Sequence, residues 1–152
     1  MLIFELTGKS VAQIFYENIV KQFEPNGKIH WAADKKGRTV SLARLVMTAP
    51  DWNLFGQFII NEVKAESCMG KFFKEGLNTS VPTTRENVKY GFQFWVYDVD
   101  GESAITMTGH GGLFNVLSVK KNTVISIFSV DEKYQAGNLF SSGVLTTVAS
   151  EV

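Results

Sequence analysis

Cysteine, proline and histidine are scarce in this chain: one, three and two residues of 152. The lone Cys68 excludes an internal disulfide and any paired-cysteine metal or redox motif. His30 and His110 lack the second ligand at helical spacing that a motif such as HExxH requires, so no metal is expected. Neither sign of charge is in excess. Fifteen basic side chains balance fifteen acidic ones, which argues against a broad nucleic-acid footprint. No run approaches the roughly 18 uninterrupted apolar residues of a membrane span. Met1-Leu2-Ile3-Phe4-Glu5-Leu6 is too short for a signal peptide and lacks a basic leader, so it reads as the middle of a structured element. What the chain has is apolar material, 45 % of residues with twelve Phe among them. That supplies a core for one domain over residues 1–152 and argues against intrinsic disorder.

Periodicity sets the order of elements. Ser10 with Gln13 fits a capping box ahead of Val11, Ile14, Phe15, Ile19 and Phe23, a helix that Pro25-Asn26-Gly27 ends. A second helix is predicted from Thr48-Ala49-Pro50-Asp51, with Trp52, Phe55, Ile59 and Val63 along one face. Residues 64–89 read as a loop-rich connection with a short helical piece around Lys71 to Lys74. Tyr90, Phe92, Phe94 and Val96 then alternate, and Trp95 and Tyr97 make the other face apolar, predicting one strand buried on both sides. Asp98-Val99-Asp100-Gly101 turns the chain into strands near 103–108, 113–119 and 123–130. Ser129 and Glu132 would cap a last helix carrying Tyr134, Leu139, Phe140 and Leu145. The fold class expected is α+β, with helices packed on an antiparallel sheet.

Thr108-Gly109-His110-Gly111-Gly112 is the densest unusual feature. A simple hairpin needs one or two glycines at positive φ. Three in four residues suggest close approach to the backbone, as at an oxyanion hole, where donors lie about 2.7–3.1 Å from developing negative charge. A tight connection with a solvent-facing histidine is the plainer reading. GxGxxG fails because position 114 is Phe114. Asp98-x-Asp100-Gly101 fails as a calcium loop, since its first and twelfth ligands would be Val96 and Met107. Ser118-Val119-Lys120-Lys121 lies at a strand end, where serine and lysine fall on opposite faces. Tyr16 sits within an amphipathic helix and reads as surface. Cys68 has no neighbouring His and reads as a half-buried small residue.

Several of these pieces stand in the order of a known family. Leu6-Thr7-Gly8-Lys9-Ser10 before an amphipathic helix, Trp31-Ala32-Ala33-Asp34, Met47-Thr48-Ala49-Pro50-Asp51-Trp52 with Phe55-Gly56, Tyr90-Gly91-Phe92-Gln93-Phe94-Trp95 and Gly109-His110-Gly111-Gly112 follow one another along nearly the whole chain. Together they resemble the later part of the serine beta-lactamase-related family, which includes class C beta-lactamases, DD-peptidases, family VIII esterases and 6-aminohexanoate-dimer hydrolases. The resemblance implies an α/β/α sandwich around an antiparallel sheet, no cofactor, and hydrolysis through an acyl-enzyme. The glycine motif would lie on an edge strand lining the site. His110 would offer its main-chain N–H to the oxyanion, Gly109, Gly111 and Gly112 would keep the edge accessible, and Trp95 would wall the acyl pocket. Histidine in place of the lactamase lysine favours small amides or esters over penicillin-type substrates.

The family's Ser-x-x-Lys nucleophile motif and catalytic tyrosine precede the matching region. The expectation is therefore a C-terminal portion that supplies the oxyanion strand and pocket wall but does not turn over by itself. Its partner would be the missing N-terminal part of the same domain, with a sheet edge and one apolar face left uncovered. The family is often exported. The alternative is a non-catalytic binding or interaction module that keeps part of the fold.

Overall fold

Side-chain and backbone caps mark where each segment of the chain changes direction. The computed structural model describes residues 2–41 and 43–129, in two compact units, Met1–Phe55 and Gly56–Val152. The last helix expected from sequence lies outside the described residues.

In the first unit, α1 (Leu2–Thr7) stops at Gly8, whose φ of +67° is left-handed and whose N–H reaches the Phe4 carbonyl at 2.8 Å. The capping box at Ser10 forms in both directions, Gln13 N–H to Ser10 Oγ at 3.1 Å and Ser10 N–H to Gln13 Oε1 at 2.8 Å. It opens α2 (Val11–Phe15), a π-helical segment (Tyr16–Val20) and α3 (Lys21–Phe23) in succession. Glu24 ends this run at φ 48°, ahead of Pro25, which cannot continue a helix. A two-stranded ladder of β1 (His30–Trp31) and β2 (Leu45–Val46) follows. Phe15 packs edge-on against Trp31 at 5.3 Å and Phe55 at 5.8 Å between ring centres, and Phe23 and Trp52 close on Phe55 at 5.6 and 5.9 Å. Apart from Trp31 of β1, these rings are the helical-spaced aromatics of the sequence.

A long helix, α4 (Ala49–Lys64), carries the unit boundary. The second unit holds its later turns, α5 (Cys68–Asn78) and six strands. Ser67 caps α5 by accepting Gly70 N–H at 3.0 Å. An eleven-residue helix thus replaces the short piece expected near Lys71. Its two glycines are contact points and not breaks. A Cβ on Gly70 would lie 2.0 Å from the Glu62 carbonyl oxygen of α4, and one on Gly76 would lie 2.7 Å from the Phe94 ring. Cys68, at the start of α5, is exposed and not half-buried, because it lies two residues before the buried Gly70 and so on the other side of the helix.

The strands are β3 (Val81–Pro82), β4 (Val88–Gly91), β5 (Phe94–Val99), β6 (Glu102–Gly109), β7 (Leu113–Ser118) and β8 (Thr123–Ile127). They form one antiparallel meander in chain order. The fold is α+β. The single strand expected over 90–97 is two strands, because Phe92 and Gln93 adopt φ 47° and 70° and make a two-residue hairpin turn. Asp100-Gly101 makes the next such turn, with Gly101 N–H bonded to Asp98 Oδ1 at 2.9 Å. Register puts Val88, Tyr97, Val99, Ala104, Phe114 and Val116 on one face as a buried cluster joined by Trp95, Ile125 and Ile127. Phe94, Val96, Ile105 and Leu117 are buried on the other. There Phe73 of α5 meets Phe94 at 5.5 Å, and a Cβ on Gly56 of α4 would lie 2.7 Å from Leu117 and Val124.

Candidate functional site

Gly109 ends β6 and pairs with Leu113 at the start of β7, leaving His110-Gly111-Gly112 as a three-residue turn. A Cβ on Gly109 would lie 3.0 Å from that of Leu113. Gly111 and Gly112 sit at φ +78° and +85°, a left-handed pair that residues with a Cβ adopt only under strain. Successive amides in such a turn can line a concavity for an anion. Among the described residues none accepts a hydrogen bond from the amides of His110, Gly111 or Gly112. His110 is exposed, and Gly112 is buried.

The sheet order corrects one expectation. The motif is not on an edge strand, because β6 is flanked by β5 and β7, and β7 by β6 and β8. The glycines close an interior hairpin, so the turn is reached from the end of the sheet and not from its side. Four of the exposed large apolar side chains of the second unit gather at that end: Phe92 in the neighbouring turn, Leu113 beside the motif, Phe128 just past β8, and Phe72, whose ring meets Phe92 at 5.0 Å; a fifth, Val81, lies on the edge strand β3. Both faces of the central strands are buried.

Trp95 lies opposite Thr106 in the ladder, so four residues of β6, about 13 Å of strand, separate its level from His110. The structure brings Trp95 to the end of the sheet that carries the turn. It does not set the two side by side. The Trp95 ring meets the Tyr90 ring edge-on at 4.9 Å and carries the Arg85 guanidinium over it, also at 4.9 Å. Burial raises the Tyr97 phenol above its ordinary pKa, and Arg85 offsets part of that. Sequence reasoning missed Arg85, which stands in a polar loop with nothing to mark its ring contact. Tyr90 was seen only as one apolar member of an alternation.

The remaining candidates resolve as structural groups. Ser118 Oγ donates to Glu102 at 2.9 Å and accepts Lys121 N–H at 3.0 Å, while the Lys121 ammonium pairs with Asp100 at 3.3 Å, so no lysine activates this serine. Tyr16 is exposed beneath Lys21, 5.8 Å from ring to Nζ. Among the described residues no three His, Cys, Asp or Glu side chains converge to hold a metal ion, and no helix is long and apolar enough to cross a membrane. No protein-family model and no curated protein matches the chain.

Proposed function

We propose that this chain is the C-terminal portion of a beta-lactamase-related serine hydrolase acting on small amides or esters. In this reading the turn His110-Gly111-Gly112 donates a backbone N–H, that of His110, to the oxyanion of a tetrahedral intermediate. The observation that carries the reading is the turn itself. It joins two consecutive left-handed glycines to amides with no acceptor among the described residues, at a sheet end rimmed by Phe92 and Leu113. Trp95, buttressed by Tyr90 and Arg85, serves as the farther wall for the acyl group. The reading includes a β-lactamase-like α/β/α sandwich, of which the second unit supplies the antiparallel meander with the later turns of α4 and α5 on one face. The nucleophilic serine and its lysine belong to an N-terminal part of the same domain.

The test is fluorophosphonate labelling of the longer protein read from the DNA upstream of Met1. An in-frame Ser-x-x-Lys there, and labelling of its serine, are the expected result. His110→Ala keeps the main-chain N–H and should leave the labelling rate nearly unchanged. His110→Pro removes it and should slow labelling by about 100-fold or more. No upstream Ser-x-x-Lys would leave the second reading, a non-catalytic interaction module, for which the exposed apolar rim is the favouring observation.

A further inference from the structure

The first unit contains a cleft of about 370 Å³, within the range of roughly 300–1,000 Å³ usual for small-molecule sites. Its apolar side comes from Ile3 and Phe4 of α1 and Val11 at the start of α2. Ile3 and Phe4 stay 43 % and 57 % exposed, on a helix of six residues that is too short to be stable by itself. The opposite side is the turn that bears Lys36 and Arg38.

That turn is firmly built. Asp34 Oδ1 accepts the backbone N–H of Lys36 at 2.8 Å and of Arg38 at 2.9 Å, and these bonds lower the Asp34 pKa. Gly37 supplies the left-handed φ of +76°, and Thr39 Oγ1 accepts Ala12 N–H at 3.1 Å, tying the turn to α2. The backbone that carries the two cations is therefore fixed, and both residues line the same cleft as Ile3, Phe4 and Val11. Neither cation has an ion-pair partner within 4.0 Å among the described residues; the lining holds one carboxylate, Glu5, and a second, Asp34, lies in the turn outside the lining, bonded to the turn's own amides and attracted to Arg38.

We propose that this cleft binds a monomeric amphipathic anion, a medium-chain carboxylate, with its chain along Ile3, Phe4 and Val11 and its head group at Lys36 and Arg38. The inference does not rest on the reading of the glycine turn. In the lining two cations face one carboxylate, and Asp34 is already engaged by the amides of its turn, so the cleft favours an anionic head group, while the exposed Phe4 and Ile3 gain from covering by a chain.

The probe is sodium decanoate, titrated into the full chain below its micelle threshold and followed by calorimetry and by amide shifts. The expected result is saturable one-site binding, with shifts confined to residues 3–11 and 36–41. The double variant Lys36→Gln/Arg38→Gln, whose fold is checked by its thermal melt, should bind about tenfold more weakly. Phe4→Ala should weaken decanoate too, and decyltrimethylammonium should not compete. Absence of saturation, equal binding of the cationic amphiphile, or undiminished affinity in the charge-neutralised variant would overturn the proposal. So would anionic vesicles binding the chain more tightly than monomeric decanoate, since the cleft would then belong to a lipid surface.

Discussion

The carboxylate of Asp51 accepts the backbone N–H of Asn26 at 2.8 Å and, through its second oxygen, that of Gly27 at 3.1 Å. Thr48 adds its hydroxyl to the same carboxylate, and Asp51 N–H returns to Thr48 Oγ1 at 3.3 Å. The first turn of α4 thus holds the loop that follows α3. Asp51 is fully buried, and the space beside Gly27 is full: a Cβ there would lie 2.6 Å from Thr48 Cγ2.

Asp51→Ala should therefore lower stability by about 2–3 kcal/mol, because it strands buried donors and removes a helix-start carboxylate. The Thr48 hydroxyl, followed by the Asn26 and Gly27 amides, holds the Asp51 pKa below the ordinary aspartate value. A carboxyl with a depressed folded pKa contributes stability above its unfolded value, about 3.9, and loses it as pH falls through the lower folded value. Urea midpoints should fall with acid below about pH 4, and Asp51→Asn should flatten that dependence.

Gly70→Ala should be costly although alanine is the better helix former. The added methyl would fall on the Glu62 carbonyl oxygen, so α5 would have to move off α4, at about 1–3 kcal/mol or more. A urea midpoint no lower than wild type would refute this packing.

Thr106 is fully buried in β6, and its hydroxyl has no hydrogen-bond partner among the described residues. Thr106→Val replaces that oxygen with a methyl of similar shape and should raise stability by about 1 kcal/mol, read as a higher melting temperature. A lower melting temperature would show that the oxygen is satisfied in solution.

Much of this architecture was legible because its signals are local. Ser10 with Gln13, Thr48 with Pro50, and Asp100-Gly101 each encode their turn or cap in two to four residues. The turn at Phe92-Gln93 was hidden, since neither residue favours left-handed φ and the alternation Tyr90, Phe92, Phe94 continues through it. Helix α5 was hidden by Gly70 and Gly76, whose purpose appears only when Glu62 and Phe94 are seen against them. For the site, composition singled out Gly109 to Gly112. Its position inside the sheet depends on strand order, which no local pattern encodes. The support of Trp95 by Arg85 likewise needs the β4–β5 pairing, with Arg85 ten residues upstream.

Titrating the isolated chain with methylphosphonate, a stable tetrahedral anion, while following backbone amide shifts, tests the proposed anion site at the turn directly. The account predicts that His110, Gly111 and Gly112 amides move together and saturably at millimolar phosphonate, in wild type and in His110→Ala. If those three amides stay unmoved while others shift, the turn is a plain hairpin connection and holds no anion.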